Sequence, residues 1–252
     1  MTNQNIKPDN EGCPDPQSSN LGSLLNIPNT ITCLNLVSGC IATYLAFQSD
    51  YLYALLFIVL GAVFDFFDGM TARLLHVSSL IGKELDSLAD CITFGFAPSA
   101  IIFSFLCSFH IHLTFVPFLA FIMAAFSALR LAKFNLDERQ ALGFIGLPTP
   151  ANALFWGSLI VSLNSKTWFE PYQLPTYWLY IVLALIPVSC YLLVSEIPMF
   201  ALKFKTWGWK GNEVKWCFLL SCIPLAIIFG VSSLAIIIAW YVLLSVLTRK
   251  KA

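Results

Sequence analysis

Between residues 29 and 248 the chain is written as eight apolar stretches, roughly 29–47, 51–73, 80–106, 112–135, 147–164, 176–200, 215–230 and 232–248. A bilayer's hydrocarbon core is ~30 Å thick and takes about 20 apolar helical residues at ~1.5 Å each. With no water there, each span must satisfy its backbone hydrogen bonds internally. The expected fold is therefore an all-α integral membrane protein with about eight transmembrane helices. Composition agrees: the 252 residues are 58% hydrophobic and only 11% charged, whereas soluble domains carry about 25% charged residues. A soluble globular protein, a disordered chain and a nucleic-acid binder are all excluded.

Residues 1–20 are polar and rich in Asn, Asp, Pro and Ser, as expected of a disordered cytoplasmic tail. Leu21, Leu24 and Leu25 recur at helical spacing, which predicts a short interfacial helix before Pro28. No repeat or domain break follows, so residues 21–252 are expected to form a single membrane domain. The eight cysteines make no CxxC pair and no Cys/His metal spacing, so they read as small hydrophobes.

Net charge is zero, with 14 basic and 14 acidic residues, yet the basic residues are unevenly placed. Lys7, Arg73, Lys83, Arg130, Lys133, Arg139, Lys203, Lys205, Lys210, Lys215, Arg249, Lys250 and Lys251 fall on one side of the expected topology, and Lys166 alone on the other. Basic residues favour the cytoplasmic side. Both termini and the 73–83, 136–146 and 201–214 connections are therefore expected there, in a bacterial cytoplasmic membrane. Trp168, Trp178, Trp207 and Trp209 lie near span ends, as an interfacial aromatic belt would.

Carboxylates inside a membrane are costly, about 2.5–3.5 kcal/mol each at a helix centre, and usually serve function. Four cluster at the cytoplasmic ends of spans two and three: Asp65, Asp68, Asp86 and Asp90. Spacings of three and four put each pair on one helix face. A short connection makes these helices antiparallel neighbours, so the two pairs can meet. Arg73 and Lys83 cannot neutralise all four. A divalent cation is the natural counter-charge, and all-oxygen ligation favours Mg2+ or Mn2+. Gly69, Ala72 and Gly82 beside them are small enough for close backbone approach.

The run Asp65-Phe-Phe-Asp68-Gly69-x2-Ala72-Arg73-x8-Gly82-x3-Asp86-x3-Asp90 resembles the complete signature of the CDP-alcohol phosphatidyltransferases. The resemblance implies a helical membrane enzyme that moves a phosphatidyl group from a CDP-linked lipid to an alcohol and releases CMP. It implies two metal ions, Mg2+ or Mn2+, on Asp65, Asp68, Asp86 and Asp90, with Asp90 also the general base. Asp65, Gly69, Ala72, Arg73, Gly82 and Thr32 would contact the nucleotide or diphosphate. A homodimer embedded among membrane lipids is also implied.

The signature does not name the acceptor. The segments Asp86-Ser-Leu-Ala-Asp90 with Phe94-Gly-Phe-Ala-Pro98, Arg130-Leu-Ala-Lys-Phe-Asn135, Phe144-Ile-Gly-Leu-Pro-Thr-Pro150 and Ser195-Glu-Ile-Pro-Met-Phe-Ala-Leu-Lys203 resemble the serine-using members of the family, as does Ile27-Pro-Asn-Thr-Ile-Thr-Cys-Leu-Asn35. These imply CDP-diacylglycerol as donor and L-serine as acceptor. Arg130 and Lys133, three apart near the cytoplasmic end of span four, could hold the serine carboxylate with Asn135 nearby, since an arginine fork pairs well with a planar carboxylate. Asn35 is a further candidate lining residue. Positive-inside anchoring is the competing role for the two cations. Glycerol 3-phosphate, inositol phosphate or choline as acceptor is the alternative within the family. A divalent-cation transporter is the alternative outside it, but the repeats and dispersed acids expected of one are not evident.

Overall fold

The computed structural model describes residues 26–76, 79–109, 114–137, 144–164, 175–199, 208 and 212–248. The expected tail over 1–20, the interfacial helix over 21–25, and Arg139, Lys166 and Lys203 lie outside the described residues.

Helix α1 (Ile27–Phe47) begins at Asn26, whose side chain accepts from the Asn29 amide, and has Pro28 in its first turn, where a missing N–H costs nothing. Helix α2 (Tyr51–Leu74) follows a tight turn through Ser49 at φ 61°. Helix α3 (Leu80–Asp90) is capped by Ser79, whose hydroxyl accepts from the Gly82 amide at 2.9 Å. It runs through a six-residue π-helical turn, Cys91–Phe96, into α4 (Ala97–Cys107). A 3-10 turn at Pro117–Leu119 leads to α5 (Ala120–Leu136), then come α6 (Thr149–Asn164), α7 (Tyr177–Val194), α8 (Glu213–Phe229) and α9 (Ser233–Leu247).

Among the described residues, six helical stretches are long and apolar enough to cross a membrane, with Leu80–Cys107 counted as one and Glu213–Leu247 as one. Two features separate this from the expected eight. Helix α6 has only 16 residues, about 24 Å of rise. The last stretch is also not one straight rod: Gly230 adopts φ 53°, and the rings of Phe218 and Tyr241 lie 5.9 Å apart. Twenty-three residues of straight helix would separate them by about 35 Å, so α8 and α9 fold back on each other.

The bundle buries polar and small residues and exposes large apolar ones, as a lipid solvent requires. Along α1 the buried stripe is Asn29, Thr32, Asn35, Ser38, Gly39, Ala42 and Ala46, whereas Leu34, Val37, Ile41 and Tyr44 are exposed. Along α2 it is Ala54, Ile58, Gly61 and Asp68, at spacings of four, three and seven that keep one helix face. The apolar core sits toward the end of the bundle away from these acids. There Trp156 donates its indole N–H to Ser189 at 3.0 Å, and Phe105, Ile101 and Ile160 pack without exposure above 1%.

The span expected over 176–200 ends at Val194 instead. Pro198 has no N–H and biases the residue before it away from helix. Residues Pro198–Met199 (β2) pair antiparallel with Phe144–Ile145 (β1), a two-residue ladder within an otherwise helical architecture that agrees with the all-α expectation. Next to it, Gly146 at φ 75° donates its N–H to the Ile197 carbonyl at 2.9 Å. A Cβ there would lie 2.8 Å from the Ser195 carbonyl oxygen. This clamp ties the start of α6 to the end of α7, and thereby locates Thr149. Left-handed backbone costs an L-residue about 1–2 kcal/mol before any clash. Gly146→Ala is therefore expected to lower the melting temperature in detergent by roughly 3–8 °C. An unchanged melting curve would show that the clamp does not hold α6 and α7 together.

Candidate active site

The site is assembled by the C-terminal turns of α2 and by α3 against the polar stripe of α1. Asp65 and Asp68 share one face of α2, and Asp86 faces them from α3. One carboxylate oxygen from each of the three lies within 4.8 Å of the others. Asp68 is 5% exposed, and its Oδ2 accepts from the Thr32 hydroxyl at 2.6 Å. Asp90 stands apart from this close trio, one turn further along α3. It is 9% exposed, lies in the field of the other three acids, and its Oδ1 accepts from the Asn35 amide at 3.1 Å.

The cations nearest in sequence do not neutralise this cluster. Arg73 folds back along α2 and donates Nε to its own helix at Gly69 O, 2.9 Å away. Lys83 donates Nζ to the Asn135 carbonyl at 3.0 Å. Asp86 Oδ1 is buried without a hydrogen-bond partner, and an unmet buried acceptor is costly. An all-oxygen donor set with that unmet acceptor fits a hard divalent cation. Asp65, Asp68 and Asp86 are the residues that could hold one.

In front of the trio opens a cleft of about 260 Å³ lined by Asn26, Asn29, Thr32, Asp68, Gly69, Ala72, Ser79, Gly82, Lys83 and Asp86. Four of the residues expected to contact the nucleotide or diphosphate, Thr32, Gly69, Ala72 and Gly82, thus surround one space. Asp65 sits behind it in the trio, and Arg73 is not among its walls. Gly82 is needed for the cleft's shape. A Cβ on it would lie 2.9 Å from Ser79 Oγ and 3.0 Å from Asn29 Oδ1.

The three residues expected to bind the acceptor have separate partners. Arg130 is 7% exposed and electrostatically coupled to Asp90. Its Nη1 lies 3.5 Å from Thr149 Oγ1, and its guanidinium lies over the Phe134 ring at 5.2 Å. Among the described residues it has no ion-pair partner. Lys133 instead pairs with Glu196 at 3.4 Å near the end of α7, an exposed pair worth little energetically. Asn135 donates to Ser87 Oγ at 2.8 Å, so it ties α5 to α3.

Sequence reasoning overlooked Thr93, Thr149, Asn29 and Ser79. Ser79 carried a signal, since a serine three residues before a helical amide is a recognisable cap. Thr93 carried none, because its role depends on the π-helical turn.

Comparison with known proteins agrees with this geometry. The family model for CDP-alcohol phosphatidyltransferase matches residues 25–207. A Bacillus subtilis (strain 168) protein named CDP-diacylglycerol–serine O-phosphatidyltransferase is 39% identical over 142 residues, covering 55% of this chain and 75% of that protein. A Methanocaldococcus jannaschii protein of the same name is 31% identical over 191 residues, covering 71% of this chain and 88% of its own length. A Saccharomyces cerevisiae protein, again of that name, is 41% identical over 143 residues and is matched over half its own length. The matched region contains the carboxylate trio, Asp90, the cleft and Arg130, and this chain belongs to the CDP-alcohol phosphatidyltransferase family.

Proposed function

We propose that this protein transfers the phosphatidyl group of CDP-diacylglycerol to the hydroxyl of L-serine, giving phosphatidylserine and CMP. The observation that carries the reading is the convergence of Asp65, Asp68 and Asp86 at the back of a small-residue cleft, with Asp90 held by Asn35 one turn further along α3. The names of the relatives support serine as the acceptor.

The chemistry suits this chain's groups. The serine hydroxyl oxygen attacks the phosphorus that carries the diacylglycerol, and the bond from that phosphorus to CMP breaks. Asp90 accepts the hydroxyl proton; Asn35 occupies its Oδ1, leaving Oδ2 for that purpose. An alcohol is a weak nucleophile at neutral pH, so a positioned base is needed. Thr32 orients Asp68, and the small residues Gly69, Ala72 and Gly82 leave room for the nucleotide. Two divalent cations, held by Asp65, Asp68, Asp86 and Asp90, would supply charge neutralisation for the diphosphate and the departing CMP. Arg130 is the better candidate for the serine carboxylate, because Lys133 is engaged with Glu196. Arg130 is the one buried cation among the described residues, and a single cation suits a zwitterionic acceptor better than a phosphorylated one, which would call for several.

We read the chain beyond residue 20 as one multi-pass domain with eight crossings, counting α8 and α9 separately and admitting the short α6. Both termini and the cleft would face the cytoplasm, in accord with the basic asymmetry, and family membership carries the expectation of a homodimer.

Purified protein given CDP-diacylglycerol, Mn2+ and a panel of alcohols should release CMP fastest with L-serine. Better use of glycerol 3-phosphate would overturn the acceptor assignment. Losing a charge-assisted hydrogen bond costs about 1.5–3 kcal/mol, so Arg130→Ala should weaken apparent serine affinity roughly 10- to 150-fold. Lys133→Ala should change it little.

Asp68→Asn and Asp86→Asn should each weaken Mn2+ binding, followed by electron paramagnetic resonance on the purified protein, by at least about tenfold. Retention of wild-type binding by both variants would exclude the trio as the metal site.

A further inference from the structure

The fold presents Asp90 through a short chain of contacts that the transfer chemistry does not itself require. Asp90 is the last residue of α3, and the π-helical turn Cys91–Phe96 begins immediately after it. Single π-helical turns within α-helices re-aim the side chains that follow and recur at functional sites. Here the turn directs Thr93, which is fully buried, at the crossing of α1 and α2.

That crossing is notched to receive it. A Cβ on Gly39 of α1 would clash with the Thr93 hydroxyl and lie 2.8 Å from Thr93 Cα. A Cβ on Gly61 of α2 would lie 2.5 Å from Thr93 Cγ2 and 2.9 Å from Asn35 Oδ1. Real Cβ atoms do not approach that closely, so both glycines are sterically required. In the notch the Thr93 hydroxyl donates to the main-chain carbonyl of Asn35 at 3.0 Å. The Asn35 side chain, itself fully buried, donates Nδ2 to Asp90 Oδ1 at 3.1 Å.

We infer that Asn35 and Thr93 are positioning residues for the phosphatidyl-transfer step. Thr93 seats the Asn35 backbone against the π-helical turn, and the Asn35 amide holds one oxygen of Asp90 so that the other faces the acceptor hydroxyl. The inference rests on Asp90 being the proton acceptor, as proposed above. It assigns a role to the buried polar stripe of α1, to two glycines outside the aspartate signature, and to the turn that separates α3 from α4. The chain of contacts is closed locally. Thr93 and Asn35 lie on residues 35 to 93, whereas the acceptor-side groups Arg130 and Thr149 come from α5 and α6. Disturbing it should therefore alter the rate of transfer without altering capture of either substrate.

The test compares Thr93→Val, Thr93→Ser and Asn35→Ala with wild type. Valine preserves the shape of threonine and removes the donor; serine keeps the donor. Each variant is purified and assayed for CMP release with whichever alcohol the wild type uses best. The KM values for both substrates are measured alongside. At saturating Mn2+, whose affinity is measured first because Asp90 is also a proposed ligand, Thr93→Val and Asn35→Ala should lower kcat at least tenfold with both substrate KM values within threefold. Thr93→Ser should keep kcat within threefold of wild type. Equal losses in Thr93→Val and Thr93→Ser would mean that shape rather than the hydrogen bond matters, and would overturn the inference. So would an unchanged kcat in Asn35→Ala, or a loss confined to KM. If wild type prefers an alcohol other than serine, the acceptor assignment fails while this comparison still decides the positioning role. Asp90→Asn retaining wild-type kcat would remove the base that both ideas share.

Discussion

Four carboxylates held within apolar helices are the constraint on which the rest of this structure depends. Each is expensive away from water, and they repel one another. They can be kept only where other groups meet their lone pairs and where room exists for counter-charge. The first helix answers the first need by burying Thr32 and Asn35 on the face that meets α2 and α3. Small residues at 39, 61, 69, 72 and 82 answer the second, allowing helices to approach closely at the crossing and to part at the cleft. Around the acids the pattern inverts the usual soluble core. Polar side chains converge inside, and Leu34, Val37, Phe66 and Phe67 face outward, because lipid offers no hydrophobic drive to bury them.

The second half of the chain completes the site from a distance. Helix α5 carries Arg130 toward Asp90, and α6 brings Thr149 to it. What holds α6 there is a two-residue ladder and a left-handed glycine that lock its start to the end of α7. The segments 144–150 and 195–199, far apart in sequence, are thus two sides of one clamp. Lys133, only three residues from Arg130, reaches the same junction at Glu196 rather than facing the acids.

Most of the architecture was legible in the sequence because it depends on local periodicity. Among the described residues each apolar stretch contains a helix, and the aspartate pairs share faces as their three- and four-residue spacing requires. Pro198 ended α7 earlier than hydropathy alone suggested, since apolarity does not register a missing N–H. The crossing count was less legible. Hydropathy cannot distinguish a 35-residue rod from a hairpin, and that difference turns on the backbone of Gly230.

The sequence by itself determined the membrane environment, the approximate helix boundaries and the four acids with their small neighbours, because these follow from composition and from spacing along one helix. Tertiary structure alone decided how the helices are rotated against one another. That rotation brings Asp65, Asp68 and Asp86 within 4.8 Å and leaves Asp90 in the hands of Asn35. It also turns Arg130 inward and Lys133 toward α7, although they sit only about 60° apart around the same helix. Such a choice is made by contacts between residues tens of positions apart, such as Thr93 in the notch of Gly39 and Gly61, and no local pattern encodes it.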